Sequence, residues 1–489
     1  MNSGIKKYLI SCLLITSVAA ALRFYNLGAT CLWLDEAYTA NLAFGSFEDM
    51  LGVLRGKGTG HSAPLFYPTL LWLCQDIISN PFGARIWSAI FGIGAVVVVL
   101  CLPAAGVSKR VTALAAIIMT FSGSQIQYSQ EVREYIIGVF ISGLLLFLFL
   151  MQSKSNNGII CYILFLLGLL IAPFVTYGLI FLSCIFISFY CLNIFLHHKK
   201  LLWRPVILVI GFAVSLRVCY LLTIVYQQYI PKLSLYDSMY PKGSLFDSAS
   251  WLFNSLSEFI NFPLGFSGGI ILIGMWGLGI FLSQNQHAEE TDARLPKTIA
   301  LLLGALLALM LGLAFLNRYP FGGTRHLLFA SPLVIVSFAF AFDYFWRKLK
   351  VPYSLNYWIV PVLLVFLQAS NLKTVYADLQ DVISPVGLKP DDMPDQDVFI
   401  DCWGVPSIQY HFPNRHFAEC HSHPSKLEGA VNEINALTGN TRLVILSERS
   451  VDEIRQMEVM LNRTNSKVQL IKRYKEGALS QTFVFLVTR

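Results

Sequence analysis

From residue 7 to residue 370 the chain is a succession of long apolar runs separated by short polar segments. A water-soluble core could not hide so much apolar surface. Of its 489 residues, 55% are hydrophobic and 13% charged, against about 25% charged in soluble domains. Mean hydropathy is +0.59, so lipid is the solvent for much of the chain. Apolar runs fall near 7–27, 86–106, 111–125, 134–151, 158–173, 177–196, 204–226, 263–283, 297–316, 326–345 and 353–370. The reading is an α-helical polytopic membrane protein with about eleven transmembrane helices. Some runs fall short of the roughly 20 residues a bilayer needs, so their boundaries are soft.

The charges orient these spans. With the N-terminus in the cytoplasm, the inner loops hold Lys6 and Lys7, Lys109 and Arg110, Lys154, Lys199, Lys200 and Arg204, Arg294 and Lys297, and Arg347, Lys348 and Lys350. The outer segments are longer but sparser in basic residues, as the positive-inside rule requires. The net charge of +7 therefore reads as topology and contact with anionic headgroups, not as nucleic-acid binding. Lys6 and Lys7 before a run ending in Ala19, Ala20 and Ala21 could mark a signal peptide. The run nearly reaches spanning length and a membrane-bound body follows, which favours an uncleaved first span.

Three outer features follow. The first is a loop over about 28–85, in which Tyr38–Leu54 reads as an amphipathic surface helix. Pro64–Ile78 is apolar, but counting it as a span would put every later basic cluster outside, so it reads as re-entrant or interfacial. The second is a pair of loops at 227–262 and 317–325. The third is a polar segment, 371–489, set apart from a membrane module over 1–370. Asp397–Asp401, Arg442–Leu446, Val468–Tyr474 and Thr482–Thr488 read as strands, Ser407–His411 as part of a short helix and Val451–Asn462 as an amphipathic helix. This is the pattern of a small extracytoplasmic α/β domain.

The strongest local signal is Trp33-Leu34-Asp35-Glu36-Ala37-Tyr38, just beyond the first span. Adjacent carboxylates among aromatics at a membrane surface suit general-base work. They would equally suit the acidic start of a helix. Tyr128-Ser129-Gln130-Glu131-Val132-Arg133-Glu134-Tyr135 sits at the outer junction of two spans. Charge this close to hydrocarbon must be paired or solvated, either as a Glu–Arg helix-end pair or as a ligand site. Arg318 and Arg325-His326 flank an outer loop containing Gly322-Gly323. Such arginines bind phosphate with a fork or snorkel to headgroups. Arg217, toward the outer end of a span, belongs with them.

Gly56-Lys57-Gly58-Thr59-Gly60 lacks the spacing of a nucleotide-binding loop. Six cysteines, Cys12, Cys101, Cys161, Cys184, Cys191 and Cys219, sit in apolar runs as packing residues. Cys402, His411, His416, Cys420, His421 and His423 are ligand types at irregular spacing. A zinc site there has little support, a Cys402–Cys420 disulfide has more, and the sequence leaves both open.

Taken in order, these residues resemble the GT-C superfamily of membrane glycosyltransferases, in the branch of the protein O-mannosyltransferases and the lipid A aminoarabinose transferase. Arg23, Leu27 and the Asp35-Glu36 segment resemble that family's first outer loop. His61-Ser62-Ala63-Pro64-Leu65-Phe66-Tyr67 is similar to a His-Pro-Pro-Leu segment, with the first Pro replaced and a residue inserted. Tyr128–Tyr135 looks like the second outer loop, where Tyr-Ser-Gln-Glu-Ala-Arg is common, and Arg325-His326-Leu327-Leu328 resembles the Arg-Tyr-Leu-Leu start of a late span.

The resemblance implies a polyprenyl-phosphate sugar donor entering from the outer leaflet of a bacterial inner membrane. Asp35 would be the base, beside Glu36. Arg325, with Arg318 or Arg217, would hold the phosphate. Glu131, Arg133, His326, His61 and Tyr67 would line the substrate site. The acceptor would be a glycan, lipid or protein. The resemblance leaves a divalent metal open, since oligosaccharyl-diphosphate users need one and monophosphate users generally do not. A transporter is the rival class, though no inverted repeat or pair of broken helices is evident. A non-catalytic lipid-binding scaffold is the third. Loss of turnover without loss of lipid binding on changing Asp35 separates the enzyme from both.

Overall fold

A computed structural model of the chain describes residues 3–29, 32, 34–55, 63–153, 158–197, 201–229, 239–241, 245–282, 290–348, 376, 398–400, 441–449, 456, 459, 467–475 and 481–488. In chain order the helices are α1 (Ser3–Phe24), α2 (Leu34–Asn41), α3 (Phe47–Leu54), α4 (Phe66–Leu73), α5 (Pro81–Leu100), α6 (Lys109–Phe121), α7 (Gly123–Ser129) and α8 (Tyr135–Ser153). They continue with α9 (Ile159–Val175), α10 (Gly178–His197), α11 (Trp203–Leu222), α12 (Leu245–Leu264), α13 (Gly269–Leu282), α14 (Glu290–Phe315) and α15 (Ser331–Lys348), the last entered through a 3-10 turn at Arg325–Ala330. The strands are β1 (Val398–Ile400), β2 (Thr441–Arg449), β3 (Lys467–Lys475) and β4 (Gln481–Thr488). Two compact units result. One comprises Met1–Tyr25, Leu51–Tyr67 and Trp87–Lys373, the other Asn26–Met50, Pro68–Ile86 and Thr374–Arg489.

The first unit is a helical bundle. Among the described residues, seven helical stretches are long and apolar enough to cross a membrane, eight if the bent pair α12–α13 counts as one. The chain is an integral membrane protein. α8 and α15 form the middle of the bundle: 78% of the apolar window of each is buried, against 6% for α1. Of the other expected spans, α9 is a shorter apolar helix of 17 residues and α6 has 13. α6 stops at Ser122, and α7 begins at once as a separate short helix. The run at 353–370 lies outside the described residues.

Two expectations about the loops change. The segment 227–262 is not simply a loop, because it contains most of the 20-residue α12. α12 ends just after Pro263, and α13 leaves it at 103° through Gly265 and Gly268, both at positive φ (75° and 93°). Only glycine takes that backbone readily. Nor is Tyr38–Leu54 one helix. A 3-10 turn at Leu42–Phe44 and an extended Gly45 split it into α2 and α3. Ser46 and Asp49 then start α3 as a reciprocal cap: the Ser46 hydroxyl donates to Asp49 Oδ2 (2.6 Å) and accepts from the Asp49 N–H (3.1 Å). Pro64–Ile78 yields only the eight-residue α4, far short of a span.

In the second unit the four strands fall where alternation and β-branched residues place them. The sheet order is β1-β2-β4-β3, with β1 parallel to β2 and the other pairs antiparallel. The central β4 reads Thr-Phe-Val-Phe-Leu-Val-Thr over 482–488, the near-continuous apolar run of an inner strand. Gln456 and Val459 are helical, within the amphipathic stretch expected at 451–462. The expected short helix around 407–411 lies outside the described residues.

Candidate functional site

Chemistry-bearing residues gather in two places, one in each unit. In the second unit, Asp35 and Glu36 open α2, where the helix N-terminus favours carboxylates. The two neighbours differ sharply. Asp35 is half-buried, whereas Glu36 is fully buried. Glu36 faces Arg85, whose Nε donates to Oε1 at 2.8 Å and whose Nη2 donates to Oε2 at 2.6 Å. Arg85 Nη1 donates to the Leu27 carbonyl at 3.1 Å. A buried carboxylate is tolerated when paired and hydrogen-bonded in this way.

The local sequence explains how Arg85 gets there. Asn80 caps α5, accepting from the Gly83 N–H at 2.9 Å, and Pro81 fills the first position. Glycine permits two close approaches. A Cβ on Gly28 would lie 2.7 Å from Phe82 Cβ, and one on Gly83 would lie 1.7 Å from the Ile77 carbonyl oxygen. Arg85 was not among the candidates read from sequence. Its signal was available: it is a lone cation at the head of an apolar helix, and a carboxylate destined for burial needs one.

In the first unit, the turn between α7 and α8 meets the 3-10 turn before α15. Tyr135 is the hub. Arg133 lies over its ring (Cζ 5.4 Å from the centroid) and donates from Nη2 to its hydroxyl at 3.2 Å. The Arg325 guanidinium lies 5.6 Å from the same centroid. His326 stands edge-on to that ring at 6.0 Å, and Tyr128 at 5.5 Å. Arg133 Nε is 3.7 Å from Glu134 Oε2, and Gln127 Nε2 donates to Glu131 Oε1 at 3.3 Å. Glu131, Arg133 and Glu134 are all buried. The Tyr319 hydroxyl donates to the His326 carbonyl at 3.0 Å, which fixes the neck of the 317–325 loop. Burial pushes the Tyr128 and Tyr319 hydroxyls far up, with Glu131 adding to the effect at Tyr128, so both remain donors at neutral pH. The arrangement offers two guanidiniums on one aromatic ring, with tyrosine and histidine beside them. That is a setting suited to a phosphate.

The structure thus brings Glu131, Arg133, Arg325 and His326 together, and leaves other candidates apart from them. Arg217 is exposed on α11 and lies over the Tyr220 ring at 5.7 Å. The inward face of that helix carries Leu208, Phe212, Ser215 and Cys219, so Arg217 is on the opposite arc. Arg318 is exposed just past Asn317, which ends α14 at positive φ (53°). Tyr67 is fully buried, its hydroxyl 2.8 Å from Ser88 Oγ. His61, Trp33 and the Cys402–His423 cluster lie outside the described residues. Among the described residues, no three His, Cys, Asp or Glu side chains gather as metal ligands would.

No family model matches the chain, and no curated protein matches it in sequence. Solved structures do resemble it. The crystal structure of ArnT from Cupriavidus metallidurans bound to undecaprenyl phosphate superposes with a TM-score of 0.56 at 10% identity, covering 96% of this chain and 97% of that one. The Archaeoglobus fulgidus oligosaccharyltransferase, in complex with zinc and sulfate, gives a TM-score of 0.49 at 13% identity, over 89% of this chain and 67% of that one. At such identities the first likeness speaks for the fold alone.

Proposed function

We propose, from the GT-C glycosyltransferase fold of this chain, that it is an inverting glycosyltransferase of the membrane. It would move a sugar from a polyprenyl-phosphate donor to an acceptor hydroxyl or amine on a cell-envelope glycan, lipid or protein. The observation that carries this reading is the pair of guanidiniums, Arg133 and Arg325, on the single ring of Tyr135. Two cations gathered on one buried ring suit a ligand carrying a phosphate charge. ArnT from Cupriavidus metallidurans was crystallised bound to undecaprenyl phosphate, which supports a lipid phosphate as that ligand here.

In this reading Asp35 accepts the proton of the acceptor hydroxyl. The oxygen forms its bond to the anomeric carbon from the face opposite the phosphate. The carbon–oxygen bond to phosphate breaks, the lipid phosphate leaves with the electron pair, and the anomeric configuration inverts. Arg133 and Arg325 offset the charge that grows on the departing phosphate. Glu36 is held by Arg85 and serves to fix α2, leaving proton transfer to Asp35. The basic-loop asymmetry supports an active site and a 371–489 domain on the extracytoplasmic side of a bacterial inner membrane, with residues 1–370 as the catalytic module.

The test is direct. Purified full-length protein in nanodiscs is given undecaprenyl-phosphate sugars and envelope extract, and released undecaprenyl phosphate is measured. Release that depends on the extract, with a glycan or lipid product gaining one sugar by mass spectrometry, is expected. No release from any donor by folded protein would overturn the reading.

A further inference from the structure

Arg23 is the only arginine among the described residues with no measurable exposure, and it lies in the last turn of α1. It is not part of the site described above. Among the described residues its guanidinium reaches four acceptors. Nε donates to Ser129 Oγ at 3.2 Å, Nη2 to the Met119 carbonyl at 3.0 Å, and Nη1 to the carbonyls of Ala19 at 3.2 Å and Thr120 at 3.4 Å. Met119 and Thr120 belong to the last turn of α6, whose carbonyls lack partners within the helix. A helix C-terminus also carries partial negative charge, which favours a cation. Arg23 therefore caps α6.

The exchange runs both ways. Gln130 Nε2 donates toward the carbonyls of Leu22 at 3.1 Å, Arg23 at 3.1 Å and Tyr25 at 3.0 Å. These are the open carbonyls at the end of α1. The end of α6 is thus closed by a side chain from α1 and the end of α1 by Gln130, just past α7, so Ser129-Gln130 is pinned to α1. The turn that follows at once carries Glu131, Arg133 and Glu134. The backbone bond within it runs from the Arg133 N–H to the Glu131 carbonyl at 2.8 Å. Ser129 and Gln130 lead directly into it.

We propose that Arg23 is a positioning residue: through Ser129 and Gln130 it sets where the turn presents Arg133 to a lipid phosphate. This rests on the assignment of Arg133 and Arg325 to phosphate. Lysine at position 23 would keep the charge but could not span Ser129 and the α6 carbonyls with one ammonium. Alanine at position 129 would remove only the hydroxyl and leave Arg23 its carbonyls.

The experiment measures undecaprenyl phosphate binding, together with melting temperature, for full-length protein in nanodiscs. The variants are Arg23→Lys, Ser129→Ala and Arg325→Ala. Expected are Kd increases of about tenfold for Arg23→Lys and about threefold for Ser129→Ala, the latter with melting within about three degrees of wild type. If Arg23→Lys is also unstable, Ser129→Ala decides. Unchanged Kd in Ser129→Ala and Arg23→Lys, with weakened binding in Arg325→Ala, overturns the positioning role alone. Unchanged Kd in Arg325→Ala overturns the phosphate assignment beneath it.

Discussion

Arg85 grips both carboxylate oxygens of Glu36, at 2.8 and 2.6 Å, and both side chains are almost wholly shut away from solvent. This pair gives two adjacent acidic residues different surroundings. Glu36 is fully buried against Arg85, while Asp35 is half-buried.

Breaking the pair from one side should be costly. Arg85→Met or Glu36→Gln alone should lower unfolding stability by about 3–5 kcal/mol, because each leaves a buried charge uncompensated. The double variant should recover most of that loss. Thermal and denaturant unfolding of the purified protein checks this. Additive losses in the double variant would mean that the two residues do not act as a pair.

Gly92 sits where α5 meets the Arg23 network. A Cβ there would lie 2.1 Å from Ser129 Oγ and 2.9 Å from Arg23 Nε. Gly92→Ala should therefore cost about 1–3 kcal/mol through overpacking. Gly304, on α14, has open space around the same atom, and Gly304→Ala should be neutral or slightly stabilising. Equal melting temperatures for the two variants would contradict the close approach.

The arginines should divide by position. Arg133→Ala and Arg325→Ala should each raise the KM for donor about ten- to a hundredfold, the cost of losing a charge-assisted bond. Exposed Arg217 and Arg318 should tolerate alanine, with KM changing less than about twofold. Initial rates against donor concentration give the comparison. A large effect at Arg217 and none at Arg325 would reverse the assignment.

Topology offers a separate check. Single cysteines introduced near Asp35 and near Ser425 should both react with an impermeant thiol reagent on intact cells, and one beside Lys199 should not. The basic-loop asymmetry sets this expectation. Labelling near Ser425 only after the cells are opened would contradict it.

Much of this was legible from the sequence, for physical reasons. Spanning helices announce themselves by length and apolarity, and seven of the eleven expected runs are long apolar helices among the described residues; the four strands fall in the segments read as strands. The Glu131–Tyr135 and Arg325-His326 segments stood out because charge beside hydrocarbon is expensive. What the sequence hid depends on contacts between distant residues. Arg85 pairs with Glu36 across 49 positions, and Arg23 reaches Ser129 across 106. Neither partner is marked by local spacing. Arg217 stands out in sequence as a charge within a span, and the structure places it exposed on the arc opposite the buried face of α11. The split of Tyr38–Leu54 was missed because its apolar periodicity runs on through Gly45-Ser46, where the backbone does not.

The central claim is that Asp35 is the base of a glycosyl transfer, and Asp35→Asn tests it most directly. Asn preserves size and hydrogen-bonding reach but cannot take a proton at neutral pH, and it caps helices about as well as Asp. Turnover of a lipid-phosphate sugar should fall by about 10²–10⁴, while melting temperature and undecaprenyl phosphate binding stay near wild type. Near-wild-type turnover in Asp35→Asn would contradict the account and leave Asp35 as an acidic helix start.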